Sequence, residues 1–363
     1  DGGDARAVKP VADRADAAAL PVVIIGCGMS GLLAAIRLQE AGFPYVVIEK
    51  NDGVGGTWWE NSYPGARVDV GNHFYCYSFE PSDDWTEFFA QQPELQAYFQ
   101  RVMEKHGVTK NVRWKTEVRG ATWDDVKASW TVELSSGETI EARAVISAVG
   151  QLNRPFVPEI PGRFDGPSFH TARWDHSVDL TGKRVVMIGA GATGFQVAPA
   201  IAEKVGHLTV IQRSAQWMFP NPNYHAAVGP GMKWALRHLP FYGRWYRFLL
   251  FWPGCDKGLA VAKVDPAWEP QQRSVSETND FARMMFTEWI KSQLEDRPDL
   301  IDKVVPDYPA TGKRTLQDNG SWLATLKRPN VDLVRGGVAR LESDGVVDSH
   351  GVKHFADVVV FAT

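Results

Sequence analysis

Two strings in this chain share one glycine spacing. Pro21 to Gly31 reads PVVIIGCGMSG, with Gly26, Gly28 and Gly31 in GxGxxG order, and Lys183 to Gly194 reads KRVVMIGAGATG, with Gly189, Gly191 and Gly194 in the same order. At such a motif the first glycine permits a tight turn, the second lets backbone approach a diphosphate, and the third lets helix and strand pack closely. Phosphate oxygens then accept hydrogen bonds from amides at the start of the following helix. A lone GxGxxG is weak; here each follows a β-branched run and precedes a helical pattern, LLAAIRLQEAG or FQVAPAIAEKV. The two units differ where their second strands end. YVVIEK ends at Glu49, whose carboxylate suits ribose hydroxyls, whereas HLTVIQR ends at Arg213 followed by Ser214, and a guanidinium there would clamp a 2′-phosphate. Cradles of opposite preference suggest a flavoprotein in which NADPH reduces bound FAD.

Positioning two such cradles requires two parallel sheets, each with helices, and 363 residues suffice for domains of roughly 100–200 residues apiece. The expected fold is α/β, with two Rossmann-like dinucleotide-binding domains and a helical insertion in the second. Residues 1–20, DGGDARAVKPVADRADAAAL, read as a mobile lead-in, since they lack the apolar core of a signal peptide or membrane span. Residues 21–152 are assigned to the FAD domain, within which SWTVEL and TIEARAVISAVG suggest a hairpin returning to its sheet. Residues 153–175 form a linker marked by Pro155 and Pro158, and 176–219 begin the NADP domain. Residues 220–310 form the insertion and 311–363 the second part of the NADP domain, heading back towards the FAD domain. The chain stops at DVVVFAT, within a strand-like run, so the C-terminal part of the FAD domain is expected to be missing and residues before Asp1 absent.

Composition narrows the function. A formal net charge of −4 leaves no basic excess for nucleic acid. Cys27, Cys76 and Cys255 show neither CxxC nor metal-ligand spacing, which argues against a disulfide framework, a zinc site and a dithiol reductase, and suits a reducing cytoplasm. The aromatic run WALRHLPFYGRWYRFLLFW, Trp234 to Trp252, is broken by Pro240 and carries Arg237, Arg244 and Arg247. It is therefore read as helices covering a site rather than a span, with peripheral membrane contact as the lesser reading. FARMMFTEWIKSQL, from Phe281, has the apolar spacing of a core helix.

Between the cradles, GGTWWENSYPGARVDV runs from Gly55 to Val70. Its glycines would let backbone lie against a cofactor, Trp58 could cover a flavin ring, and Asp69 is a polar candidate beside it. FDGPSFHTARWD, Phe164 to Asp175, looks too polar for a buried strand. It matches the FxGxxxHxxxW(P/D) fingerprint of the Baeyer–Villiger monooxygenases at Phe164, Gly166, His170, Trp174 and Asp175, and lies between two GxGxxG motifs as in that family. GGTWWENSYPGARVD resembles a second signature of theirs, and the resemblance extends from Val22 over nearly the whole chain. QRSAQWMFPNPNYH, Gln212 to His225, is most similar to the aryl-ketone branch typified by 4-hydroxyacetophenone monooxygenase.

The resemblance implies a chemistry. NADPH reduces FAD, the flavin takes up dioxygen as a C4a-peroxide, and the peroxide attacks a ketone to yield an ester or lactone. It also implies that Lys313 and Arg314, in PDYPATGKRTLQDNGSWL, approach the nicotinamide and flavin. Arg314 is then the catalytic cation, Asp69 positions it or the nicotinamide amide, and Lys313 is a ligand of NADP phosphate. FAD contacts are expected at Gly26, Gly28, Met29, Ser30, Gly31, Glu49, Lys50, Gly56, Thr57, Trp58, Asp69, Tyr75 and Val118. NADP contacts are expected at Arg67, Val68, Asp69, Gly189, Ala190, Gly191, Ala192, Thr193, Gly194, Gln196, Arg213, Ser214, Lys313 and Arg314. His170 reads as a catalytic base or, preferably, as a fastener of the linker together with Trp174. Partners would be a small ketone and dioxygen, with no nucleic acid or metal, and a second copy of the chain in a homodimer. The rival readings are an N- or S-oxygenating flavin monooxygenase and a nucleotide-binding sensor without turnover.

Overall fold

The structure is a computed structural model that describes residues 20–363, so the lead-in expected over residues 1–20 lies, except for Leu20, outside the described residues. Its contacts divide the chain into two units, Asp1–Ser62 with Gln92–Arg154, and Tyr63–Gln91 with Pro155–Thr363.

In the first unit, β1 (Val22–Ile25), α1 (Met29–Glu40), β2 (Tyr45–Ile48) and the short α2 (Thr57–Glu60) precede α3 (Gln92–Lys105) and β3 (Val112–Arg113). Then come β4 (Val118–Asp124), β5 (Ser129–Leu134), β6 (Thr139–Ala142) and β7 (Ala144–Ser147). A parallel sheet runs in the order β3-β2-β1-β7 and an antiparallel one in the order β4-β5-β6. Side chains alternate across a strand. Val23, Ile25, Val46 and Ile48 accordingly pack with Val132, Leu134 and Ala142 of the antiparallel sheet. The intervening Ile24 and Val47 are fully buried on the opposite face. Strands covered on both faces read as continuous runs such as VVII and YVVI. The hairpin expected to rejoin the first sheet does so only through β7; β5 and β6 pair with β4 in a layer of their own.

The second unit repeats the scheme. It has β8 (Ser168–His170), β9 (Arg184–Ile188), α4 (Ala192–Ile201), β10 (His207–Gln212), β11 (Met218–Pro220), α5 (Pro230–His238), α6 (Tyr242–Trp252), α7 (Gly258–Ala262), α8 (Glu277–Gln293) and α9 (Ile301–Val304). There follow β12 (Leu316–Asp318), α10 (Ser321–Leu326), β13 (Val331–Arg335), β14 (Val338–Glu342), β15 (Gly345–Asp348), β16 (Lys353–Phe355) and β17 (Val358–Phe361). The parallel sheet is β13-β10-β9-β17-β8, and β14-β15-β16 is antiparallel. Val186, Ile188, Ile211, Val359 and Phe361 pack with Val346, next to β16 at Ala356. Val185, Met187, Leu208, Val210, Val358 and Val360 meet residues of α4, α8 and α10. Ala282, Phe286 and Ile290 belong to that core, each large side chain there stabilising by about 1.5–3 kcal/mol.

Two expected boundaries differ. Tyr63–Gln91, assigned from sequence to the FAD domain, belongs to the second unit. The fingerprint is not a free linker, because Ser168–His170 is the edge strand of the second sheet, paired with β17, and Phe164 is buried beneath it. An edge strand pairs on one side only, which is why a run this polar serves as a strand.

The aromatic run forms α5 and α6, with Pro240 between them, and no helix among the described residues is long and apolar enough to cross a membrane. The inner side of α6 seats on Tyr63–Gln91. Tyr246 meets the His73 ring edge-on at 5.2 Å, and the Arg247 guanidinium donates to the His73 and Cys76 carbonyls at 3.3 and 3.2 Å. Arg237 pairs with Asp83 at 2.8 Å. Outward, Trp245, Phe248 and Trp252 stack in an exposed row.

His73 is 6 % exposed, and neither ring nitrogen has a hydrogen-bond partner among the described residues. Burial pushes its imidazole down from 6.5 to about 4. The unfolded chain therefore binds this proton more readily, and stability falls as pH drops from 6.5 towards 4. His73→Phe should flatten that acid limb in denaturant midpoints measured across the window; an unchanged limb would assign the loss to other groups.

Candidate cofactor and active site

In the first unit, Gly26 has φ +99 and turns the chain from β1 towards α1. A Cβ on Gly31 would stand 1.9 Å from the Gly26 carbonyl oxygen, so only glycine lets the helix come this close. Gly56, at φ +55, lies against Gly28, where an added Cβ would sit 3.0 Å from the Gly28 Cα. No side chain caps α1 and its first turn holds no acid, an end suited to an anion. Glu49 is 4 % exposed and accepts from the Cys27 amide at 2.6 Å and the Asn51 amide at 2.9 Å, one on each oxygen. Each oxygen keeps a lone pair for a further donor. Lys50 pairs with Glu60 at 2.8 Å. Trp58 is buried and its carbonyl accepts from Gln92. Met29, Ser30 and Thr57 lie in the first turns of α1 and α2, and Val118 opens β4.

The second cradle has the same build. A Cβ on Gly189 would stand 2.3 Å from the Ala362 carbonyl oxygen and one on Gly194 2.4 Å from that of Gly189, whereas one on Gly191 would meet nothing within 4 Å. The tight positions are structural and the open one faces space a ligand can use. Ala190 is buried, and Ala192, Thr193 and Gln196 lie on α4. At the end of β10, Arg213 is exposed. The Lys313 ammonium reaches the Ser214 hydroxyl at 2.5 Å and stands 4.7 Å over the Tyr308 ring. Residues 99 positions apart in sequence thus bring an ammonium beside a hydroxyl.

Next to it, Arg314 forms an ion pair with Asp69. The arginine side chain is 57 % exposed and the aspartate 20 %, so the carboxylate is seated and the guanidinium keeps donors to spare. The half-buried Tyr63 hydroxyl shares this corner with Thr193, Asp69 and Arg314, and desolvation raises its pKa. Arg67, Val68, Asp69 and Tyr75 all belong to the second unit. The residues expected at NADP thus all fall in the second unit, as do Asp69 and Tyr75, which were expected at FAD as well.

The fingerprint residues are fixed within the second unit. His170 Nδ1 accepts from the Ala172 amide at 3.0 Å, and Nε2 lies 3.1 Å from the Thr363 carbonyl oxygen. Both ring nitrogens are engaged, an arrangement suited to fastening rather than base chemistry. Trp174 packs edge-on against Phe169 at 5.0 Å, and Asp175 accepts from the Ser177 amide and hydroxyl at 2.9 and 2.6 Å. A Cβ on Gly166 would strike the Phe164 ring at 2.6 Å.

A family profile described as pyridine nucleotide-disulphide oxidoreductase matches residues 23–242, spanning both cradles. The chain belongs to this family. Cys27, Cys76 and Cys255 are free, so the chain presents the family's nucleotide cradles without a dithiol pair. Among relatives, it is 42 % identical over 348 residues to an uncharacterized monooxygenase of Sinorhizobium fredii, covering 94 % of this chain and 52 % of the relative. It is 36 % identical over 345 residues to a Baeyer–Villiger monooxygenase of Streptomyces coelicolor, covering 94 % and 63 %. This member of the family thus spans about half to two-thirds of the length of these relatives. Among solved structures it resembles an oxidized steroid monooxygenase bound to NADP, with TM-score 0.81, 31 % identity and coverage of 95 % of this chain and 71 % of that one. It also resembles OTEMO in complex with FAD and NADP, with TM-score 0.81, 29 % identity and coverage of 95 % and 70 %.

Sequence reasoning gave no role to Tyr63, Tyr224 or Glu87, although Tyr63 lies in the quoted YPG string and Tyr224 in NPNYH. Their polar partners are distant in sequence, so no local pattern marks them.

Proposed function

We propose that the protein containing this chain is an NADPH- and dioxygen-dependent flavin monooxygenase of the Baeyer–Villiger type, inserting oxygen beside a ketone carbonyl. The observation that carries the reading is the Arg314–Asp69 ion pair next to the second cradle. FAD suits the first cradle, where the close approach of Gly28 and Gly56 keeps side chains away from the uncapped start of α1 and Glu49 keeps lone pairs for ribose hydroxyls. NADPH suits the second, where Gly191 is open, Lys313 meets Ser214 and the exposed Arg213 precedes that serine in sequence. When bound, these cofactors supply hydride and activate dioxygen. The chain's own part is electrostatic: Arg314 remains cationic and offers donors at fixed angles to a developing oxyanion, while Asp69 holds it in orientation. The similarity of QRSAQWMFPNPNYH to the aryl-ketone branch makes an aryl ketone the favoured substrate, giving an ester; FDGPSFHTARWD is assigned to fastening β8.

The test is a product-identified screen with purified protein, FAD and NADPH under ¹⁸O₂. Acetophenone, cyclohexanone and 2-decanone are offered beside a tertiary amine and a sulfide. One ¹⁸O atom in an ester or lactone is expected. N-oxide or sulfoxide without ester would favour the heteroatom oxygenases, and bound cofactors with no product a sensor.

A further inference from the structure

The Gln196 side chain, on α4, is saturated by protein groups. Its oxygen accepts from the Tyr63 hydroxyl at 3.0 Å and the Arg67 amide at 3.3 Å. Its nitrogen donates to the Arg67 carbonyl at 3.0 Å and the Tyr224 hydroxyl at 2.8 Å. A primary amide offers two hydrogens and two lone pairs, so this one has nothing left for a nucleotide. The Arg67 side chain is held through its Nη1, which pairs with Glu87 at 2.8 Å and donates to the Tyr224 carbonyl at 2.9 Å.

The backbone reports the same closeness. Gly65 has φ +81, and a Cβ there would stand 2.5 Å from the Gln196 carbonyl oxygen. Tyr224 is buried, with its ring edge-on to Phe89 at 5.3 Å, so the hydroxyl that receives Gln196 is fixed. Asp69 follows two residues after Arg67 and carries Arg314.

The geometry points to Gln196 as a positioning residue: with Tyr224 it clamps residues 63–67 onto α4 and thereby sets the Asp69–Arg314 pair, instead of contacting NADP. Its consequence for catalysis rests on the function proposed above for Arg314. The saturated amide is what sets this role apart from the nucleotide contact expected of Gln196 from sequence.

Gln196→Met keeps side-chain length and removes all four hydrogen bonds. In the full protein with FAD bound, deuterium uptake by the peptide covering residues 63–70 should rise, because the Arg67 amide loses its acceptor. NADP⁺ affinity, titrated directly, should change by less than about threefold. Product per NADPH, with whichever screened ketone reacts fastest, should fall about tenfold at saturating NADPH. Tyr224→Phe should show the same pattern more weakly, and decides the matter if Gln196→Met does not fold. Unchanged uptake would overturn the clamp. A tenfold loss of NADP⁺ affinity with normal uptake would make Gln196 a nucleotide ligand and overturn it too, as would raised uptake with unchanged yield. If unaltered protein oxidises no ketone, the function reading fails, while uptake and NADP⁺ affinity still decide the clamp.

Discussion

Arg314→Ala is expected to leave NADPH consumption running while ester formation falls by about 10²–10³-fold, the range for removing one donor to a developing oxyanion. The electrons should then end in hydrogen peroxide. The reasoning starts from the pair: Asp69 is the more sheltered partner and Arg314 the more exposed, so the aspartate anchors and the arginine reaches. Truncation removes a fixed cation from where negative charge develops, yet touches neither glycine cradle. Arg314→Lys should recover only part of the loss, because an ammonium keeps the charge but lacks the planar fork. NADPH oxidation, peroxide and ester are to be measured on the same samples. Normal ester yield in Arg314→Ala would remove this residue from the chemistry.

The second large effect concerns cofactor choice. Joint replacement of Arg213 and Lys313 by alanine should lower kcat/KM for NADPH by about 10²-fold or more, since each charge-assisted hydrogen bond contributes about 1.5–3 kcal/mol. The value for NADH should hardly move. Lys313 stands beside the Ser214 hydroxyl and the Tyr308 ring, and under the proposed function its ammonium meets the 2′-phosphate that NADH lacks. Direct titration with NADP⁺ at rising salt should show a weaker salt dependence in the variant, because two cations have gone. Equal losses with both nucleotides would point instead to a damaged cradle.

What could be read without coordinates was local. The two glycine strings, their flanking strands and helices, and the contrast between Glu49 and Arg213 follow from short-range sterics and charge. The core character of Phe281 to Leu294 likewise follows from helical spacing, with Phe286 and Ile290 buried. The antiparallel layer on each parallel sheet was not legible as such: SWTVEL has a strand pattern whether it joins β7 or pairs with β4. Nor was the placement of Phe164 to Asp175, whose polar composition signals a loop until β17 supplies an edge.

Sequence by itself therefore determined that this chain carries two glycine-rich strand–turn–helix units, whose second strands lead to Glu49 and Arg213, and strings that resemble those of the Baeyer–Villiger monooxygenases. Tertiary structure alone decided that Tyr63–Gln91 belongs with the second cradle, that Arg314 meets Asp69, and that the Gln196 amide is spent on Tyr63, Arg67 and Tyr224. The physical reason is range. Glycine spacing and apolar periodicity act over a few residues, whereas these contacts join positions 28 to 245 residues apart and exist only once the sheets have brought them together.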